Sequence, residues 1–430
     1  MSDSLTTKSS TSSDANITSF NPSNQVSAKG DDTPTSSLAT LRFDLANQGR
    51  KLSVSPGVNQ IDILFNEGFK VLNNKKGAYL GEKEKLFQIQ KSLKKIPGAQ
   101  KIINGNNETL EASLKQLMTG EILSKSLAYI NFNLLKDEER FIEIPICSND
   151  QGCFRMQKFK VETIFVSRSN IPCWGLVPVG EQKTPLINSS TSPIVLWRGT
   201  VPNDSAPGGI ASVLINFDDK GPAYRMFNYN KKRLAIWLYV RTQNGQNKAR
   251  TMGHSQGAAL ATYTAVELAI YISTDFKSPS YAWSTPGINK EHLDRWNALP
   301  SGEKPALVTA ITKTDPVSKI GECVVSKLAL FITSYVKNLS PLSAHCSILT
   351  PNSSGVFITA IDLEKENSKI ARRLWVSLKG VRAGLFLGQR NIIKISRIYN
   401  DIAETNKAIA SGVKAIKKRA TDVSNALTKV

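Results

Sequence analysis

One short run, Gly253-His254-Ser255-Gln256-Gly257, has the residue types and spacing for nucleophilic catalysis. A serine hydroxyl attacks poorly at neutral pH. It needs a base to take its proton, a carboxylate to orient that base, and N–H donors for the oxyanion that forms. The Gly-x-Ser-x-Gly pattern makes the serine accessible on a tight strand-to-helix turn, and its glycines leave room for backbone that any Cβ would strike. Asn247 to Met252 leads into the turn. The helix-forming run Ala258 to Tyr263 follows, with its N-terminus pointing at Ser255.

Scarcity of histidine sharpens the search for a base, because the chain has 3. His254 lies inside the turn and is directed away from the serine. His292, in Ile288-Asn289-Lys290-Glu291-His292-Leu293, reads as the start of an exposed helix. His345 lies in a loop before an apolar run and is the candidate base. With a serine at the top of a parallel sheet, the chain order is serine, acid, histidine. Asp275 and Asp294 sit on or after helices, whereas Asp315 follows the strand candidate Ala306 to Thr312. A strand would carry it to the carboxyl edge of the sheet, where ligands and catalysis gather. Asp315 is therefore the candidate acid. The candidate oxyanion donors are the backbone N–H of Gln256 and Thr200, the latter in the loop after Ile194 to Trp197.

The elements that would position these residues have an α/β texture. From about residue 161 to 360, short apolar runs ending in turn residues alternate with helical stretches, which predicts a mostly parallel central sheet flanked by helices. Pro193 to Trp197 and Ala306 to Thr312 read as strands, Ala223 to Val240 and Ala258 to Ile272 as helices. The long apolar stretch from Ser318 to Leu342 reads as an inserted helix. Upstream, residues 41–160 read as a mainly helical accessory region. Glu82 to Ile96 and Glu108 to Ile130 carry apolar residues at helical spacing, and Phe141 to Ile144 and Val161 to Val166 look like strands.

Both ends differ from this core. Residues 1–40 are rich in Ser, Thr, Asn and Asp and cannot bury enough surface to offset their ordering entropy, which predicts a disordered leader. It has no Sec-type apolar core, and it reads either as a flexible leader without a further role or as a tail that resembles the export signals of specialised bacterial secretion systems. Residues 361–430 form a basic, helical C-terminal region. From Glu364 to Val430, fifteen Lys and Arg stand against five Asp and Glu, half of the chain's net charge of +20. From Ile392 to Leu427, apolar residues recur at spacings of three and four, predicting a long helix. That seam could self-associate, fold back on the core, or lie on an anionic membrane surface.

Composition bounds the rest. No stretch reaches the roughly 20 apolar residues of a bilayer span. The 5 cysteines include no CxxC pair and read as free thiols of a reducing compartment. No metal site and no cofactor is expected, and charge alone does not make a nucleic-acid-binding protein. A cytoplasmic location, or export without a Sec signal, is expected, with peripheral membrane association open.

The motifs together resemble the class 3 (fungal-type) lipase family of the α/β-hydrolases. Val195-Leu196-Trp197-Arg198-Gly199-Thr200 is similar to that family's oxyanion loop and Gly253 to Gly257 to its Gly-His-Ser-Leu-Gly turn. Trp283 to Gly287 is similar to the strand and Pro-containing turn that follow, and Lys313-Thr314-Asp315-Pro316-Val317 to its acid motif. The resemblance covers roughly residues 160–355. It implies an α/β-hydrolase fold with Ser255 as nucleophile, Asp315 as acid, His345 as base, and Thr200 with Gln256 as oxyanion hole. It also implies hydrolysis of glycerolipid acyl esters without a cofactor, often beneath a mobile lid. The alternative is a non-catalytic hydrolase-fold scaffold whose basic C-terminal helix binds a membrane or a partner.

Overall fold

Ser255 stands at the carboxyl end of the central strand of a nine-stranded sheet whose spatial order follows chain order. The strands are β1 (Phe141–Cys147), β2 (Phe154–Val166), β3 (Pro172–Pro178), β4 (Ile194–Trp197), β5 (Arg250–His254), β6 (Ser280–Trp283), β7 (Leu307–Thr312), β8 (Leu328–Ser334) and β9 (Val356–Ala360). This computed structural model describes residues 81–98, 108–147, 154–168, 171–180, 191–200, 220–312, 315, 317–319, 321–334, 341–350, 356–360 and 363. The leader at 1–40, the Ile392–Leu427 seam and nearly all of the basic 361–430 region lie outside them.

The sheet is mixed. β1 to β4 form an antiparallel meander, β4 to β8 run parallel, and β9 returns antiparallel on β8. The expected mostly parallel sheet is therefore a parallel block with antiparallel flanks. The reason lies in burial. β2 alternates buried and part-exposed positions, as an antiparallel strand with one wet face does, whereas β4 to β7 are buried at every residue.

Two helical layers cover the parallel block. On one face lie α1 (Glu82–Lys95) and α2 (Glu108–Lys125). On the other lie α3 (Tyr224–Arg241), α4 (Gln256–Glu267) and α5 (Lys290–Ala298). The period-2 alternation of a strand divides the core between them. In β4, Ile194 and Leu196 join the α1–α2 side, and Val195 and Trp197 the other. A short helix, α6 (Pro341–Cys346), precedes β9. Among the described residues no helix is long and apolar enough to cross a membrane.

Several expectations need correction. The apolar stretch from Ser318 to Leu342 holds β8, not an inserted helix. Its register with β7 supplies the backbone partners that a buried strand requires. The boundary expected at 160/161 falls inside β2, and α1 and α2 share one hydrophobic core with the sheet. The helices expected to reach Ile130 and Ile272 end at Lys125 and Glu267, each followed by a 3₁₀ turn. His292 is wholly buried on α5, bonded to Asn289 and Glu267, because it faces α4 instead of solvent.

Candidate active site

The strand-to-helix turn after β5 fixes Ser255 in an uncommon backbone geometry, φ 59° and ψ −128°. A residue with a Cβ pays about 1–3 kcal/mol for such a conformation. Here it is imposed by the Ser255 N–H bonding to the Trp283 carbonyl at 2.9 Å and by the Ala258 N–H bonding to the Ser255 carbonyl at 2.9 Å, which starts α4. The flanking glycines allow the approach. A Cβ on Gly253 would fall 2.1 Å from the Gly257 carbonyl oxygen, and one on Gly257 would fall 2.5 Å from that of Trp197. The second contact sets the start of α4 against the end of β4, so the Arg198-Gly199-Thr200 loop and Gln256, the first residue of α4, come from adjoining backbone.

Asp315 lies three residues past β7 and is almost fully buried. Its N–H donates to the Thr312 carbonyl at 2.9 Å, and its carboxylate accepts the Val317 N–H at 2.8 Å and the Ser318 hydroxyl at 3.2 Å. His345, near the end of α6, brings Nδ1 within 3.0 and 2.9 Å of the two carboxylate oxygens. An ionised carboxylate only accepts, so Nδ1 carries a proton, and the neutral ring in this contact has its lone pair on Nε2, the tautomer of a general base. Burial pushes the Asp315 carboxyl up, but the adjacent His345 and the Val317 N–H bring it below its ordinary value. No hydrogen bond joins Ser255 Oγ to His345 among the described residues. Such contacts commonly close only with substrate present.

His254, the residue before Ser255, faces the candidate base directly. The two imidazole centroids are 4.6 Å apart, and His254 Nε2 lies 2.8 Å from the His345 carbonyl oxygen. A carbonyl cannot donate, so Nε2 bears the proton and Nδ1 accepts from the Tyr129 hydroxyl at 2.9 Å. The loop after β4 packs against the same hydroxyl: a Cβ on Gly199 would fall 2.3 Å from the Tyr129 oxygen. One chain of hydrogen bonds thus joins Tyr129, the turn after β5 and the backbone of His345. Burial, followed by the neighbouring His345 and Lys125, holds His254 well below the ordinary histidine range, so it is neutral.

A buried ion pair on α2 anchors the same segment from behind. Glu121 and Lys125 are fully buried and meet at 2.7 Å. Lys125 also donates to the Ser347 carbonyl at 2.8 Å, and its ammonium lies 4.9 Å from the centre of the Trp283 ring. Glu121 accepts the N–H groups of Leu349 and Thr350 at 3.0 and 2.7 Å and the Thr350 hydroxyl at 2.5 Å. Tyr129, Glu121 and Lys125 escape a sequence reading. A Glu and a Lys four apart on a helix look like a solvated surface pair, and the one available signal is the apolar company of Leu117, Met118, Ile122 and Leu123. No group of His, Cys, Asp and Glu among the described residues could hold a metal ion. The four described cysteines, Cys147, Cys173, Cys323 and Cys346, are free thiols.

No family model matches the chain, and no curated protein matches it in sequence. Among solved structures it is similar to a lipase from Rhizopus microsporus var. chinensis, at 14% identity and TM-score 0.34, over 60% of this chain and 84% of that one. It is also similar to lipase II from Rhizopus niveus, at 15% identity and TM-score 0.32, over 60% and 91%. A third is the native Rhizomucor miehei lipase propeptide complex, at 12% identity and TM-score 0.33, over 56% and 77%. These values are low, and the α/β-hydrolase-like fold rests on the chain's own sheet order and on the turn at Ser255.

Proposed function

We propose that this protein is a serine carboxylic ester hydrolase of lipase or phospholipase type. Ser255 Oγ attacks the ester carbonyl while His345 Nε2 takes its proton, and Asp315 orients and stabilises the resulting imidazolium. The oxyanion is held by the N–H of Gln256 and by Thr200 through its N–H and hydroxyl. His345 then gives its proton to the departing alcohol, leaving an acyl-enzyme on Ser255 that water cleaves by the same steps in reverse order.

The observation that carries this reading is the contact of His345 Nδ1 with both Asp315 carboxylate oxygens. The backbone of the same histidine is bonded to the residue preceding the strained serine. A buried Asp–His pair of this tautomer, at the carboxyl edge of parallel strands, is an arrangement for moving a proton. The substrate class follows from the motif resemblance, which points to acyl esters of glycerolipids. A net charge of +20 would favour an anionic membrane surface as the place of action.

The purified protein should react covalently with a fluorophosphonate probe, and Ser255→Ala should remove the label. Absence of labelling, or a label that survives Ser255→Ala, would overturn the assignment.

A further inference from the structure

At the end of the sheet opposite Ser255, where β4, β5 and β6 begin, lies a small cavity of about 60 Å³. Arg155, Thr191, Ser192, Arg250, Lys277 and Ser278 contribute to its lining, and no carboxylate does so among the described residues. At roughly 10–15 Å³ per water, the space holds about four waters or one oxyanion with part of its hydration.

Arg250, the first residue of β5, is the central observation. It is buried, its Nε donates to the Pro279 carbonyl at 2.8 Å, and its N–H donates to the Pro193 carbonyl at 2.8 Å. Burial pulls its guanidinium down to about 10, and no carboxylate among the described residues offsets that cost. Other cations of the fold are treated differently: Lys125 has Glu121, Lys231 has Glu267 and Arg241 has Glu162. A buried charge without a counter-ion is costly, and a bound anion would offset that cost through charge-assisted hydrogen bonds. Arg155, which donates to the Thr191 hydroxyl at 3.3 Å, and Lys277 bring two more positive charges to the same space. Asp275, on the Lys277 loop, is engaged by the Lys277 backbone N–H at 2.8 Å.

We propose that this cavity is an anion site that takes a phosphate group, with Arg250, Arg155 and Lys277 as its ligands. The five residues of β5 put it about 16 Å from Ser255 at roughly 3.3 Å per residue, so it serves the fold and not the ester chemistry. A bound phosphate would tie β2, β5 and the loop before β6 together at one point. The site is independent of the hydrolase reading.

The test is calorimetric titration of the full chain with inorganic phosphate, paired with thermal melting at constant ionic strength. Phosphate should bind saturably and raise Tm, and chloride should do neither. Arg155→Met and Lys277→Met keep Arg250 in its buried place, and each should weaken phosphate binding by roughly tenfold or more with labelling of Ser255 unchanged. Glycerol 3-phosphate separates the sources: tighter binding than phosphate identifies a phosphorylated headgroup, and weaker binding identifies the free ion. Absence of saturable phosphate binding, or full affinity in both variants, would overturn the proposal.

Discussion

Lys125 donates to the carbonyl of Ser347 at 2.8 Å across 222 positions of sequence, from a side chain with no exposure to solvent. The contact joins an N-terminal helix to the segment that carries His345, and Glu121 reinforces it with three hydrogen bonds to Leu349 and Thr350. Removing one partner of a buried pair strands the other charge, at about 3–5 kcal/mol. Lys125→Met should therefore cost about that much in denaturant unfolding. The double variant Glu121→Gln with Lys125→Met, which leaves no stranded charge, should recover a large part of the loss. Losses of Glu121→Gln and Lys125→Met that simply add in the double variant would mean that the pair is not coupled.

The Asp315–His345 contact predicts a kinetic signature. Asp315→Asn would offer Nδ1 a side chain that can donate, and so would favour the wrong imidazole tautomer. By analogy with the triad of serine proteases, the expected loss in kcat is about 10⁴-fold. Ser255→Ala combined with Asp315→Asn should be scarcely worse than Ser255→Ala alone, because residues that act as a unit are not additive. Hydrolysis of a chromogenic short-chain ester measures both.

The backbone of Ser255 predicts a trade between stability and activity. Ser255→Gly relieves a strain of about 1–3 kcal/mol. That exceeds the roughly 0.5–1 kcal/mol lost to the freer unfolded glycine. Ser255→Gly should therefore be about 1 kcal/mol more stable than Ser255→Ala, with both inactive. A Ser255→Gly variant less stable than Ser255→Ala by the roughly 0.5–1 kcal/mol of glycine's unfolded-state entropy would show that the turn carries no strain.

His254 predicts a pH dependence of stability. Its folded pKa is depressed, so between the unfolded value near 6.5 and the folded one the unfolded chain binds a proton that the native chain does not. Stability is complete above about pH 6.5 and falls as pH drops, by up to about 1.4 kcal/mol per unit for one proton. His254→Gln should flatten that slope between pH 6.5 and 5, above the range where carboxylates titrate. Unfolding curves at several pH values read it directly.

Much of the candidate site is legible in the chain itself. Glycines around Ser255, an aspartate just past a buried strand and a single well-placed downstream histidine single out three residues, because each depends on local turn chemistry and chain order. The strands from Pro193 to Trp197 and Ala306 to Thr312 are legible for the same reason, since a fully buried strand writes its burial as an unbroken apolar run. β8 was not, because a short apolar run fits a buried helix as well as a strand until its neighbour β7 supplies a hydrogen-bonding edge.

Only the tertiary structure decided which residues surround that chemistry. His292 reads as exposed and is buried, and His254, which reads as directed away from Ser255, turns out to contact the backbone of His345. Glu121 and Lys125, at a spacing common on solvated helix faces, are fully buried. Sequence spacing reports which face of its own element a residue occupies. Whether that face meets water or another element depends on contacts more than a hundred positions apart, such as those joining α2 to the segment after His345, and these exist only once the sheet has assembled.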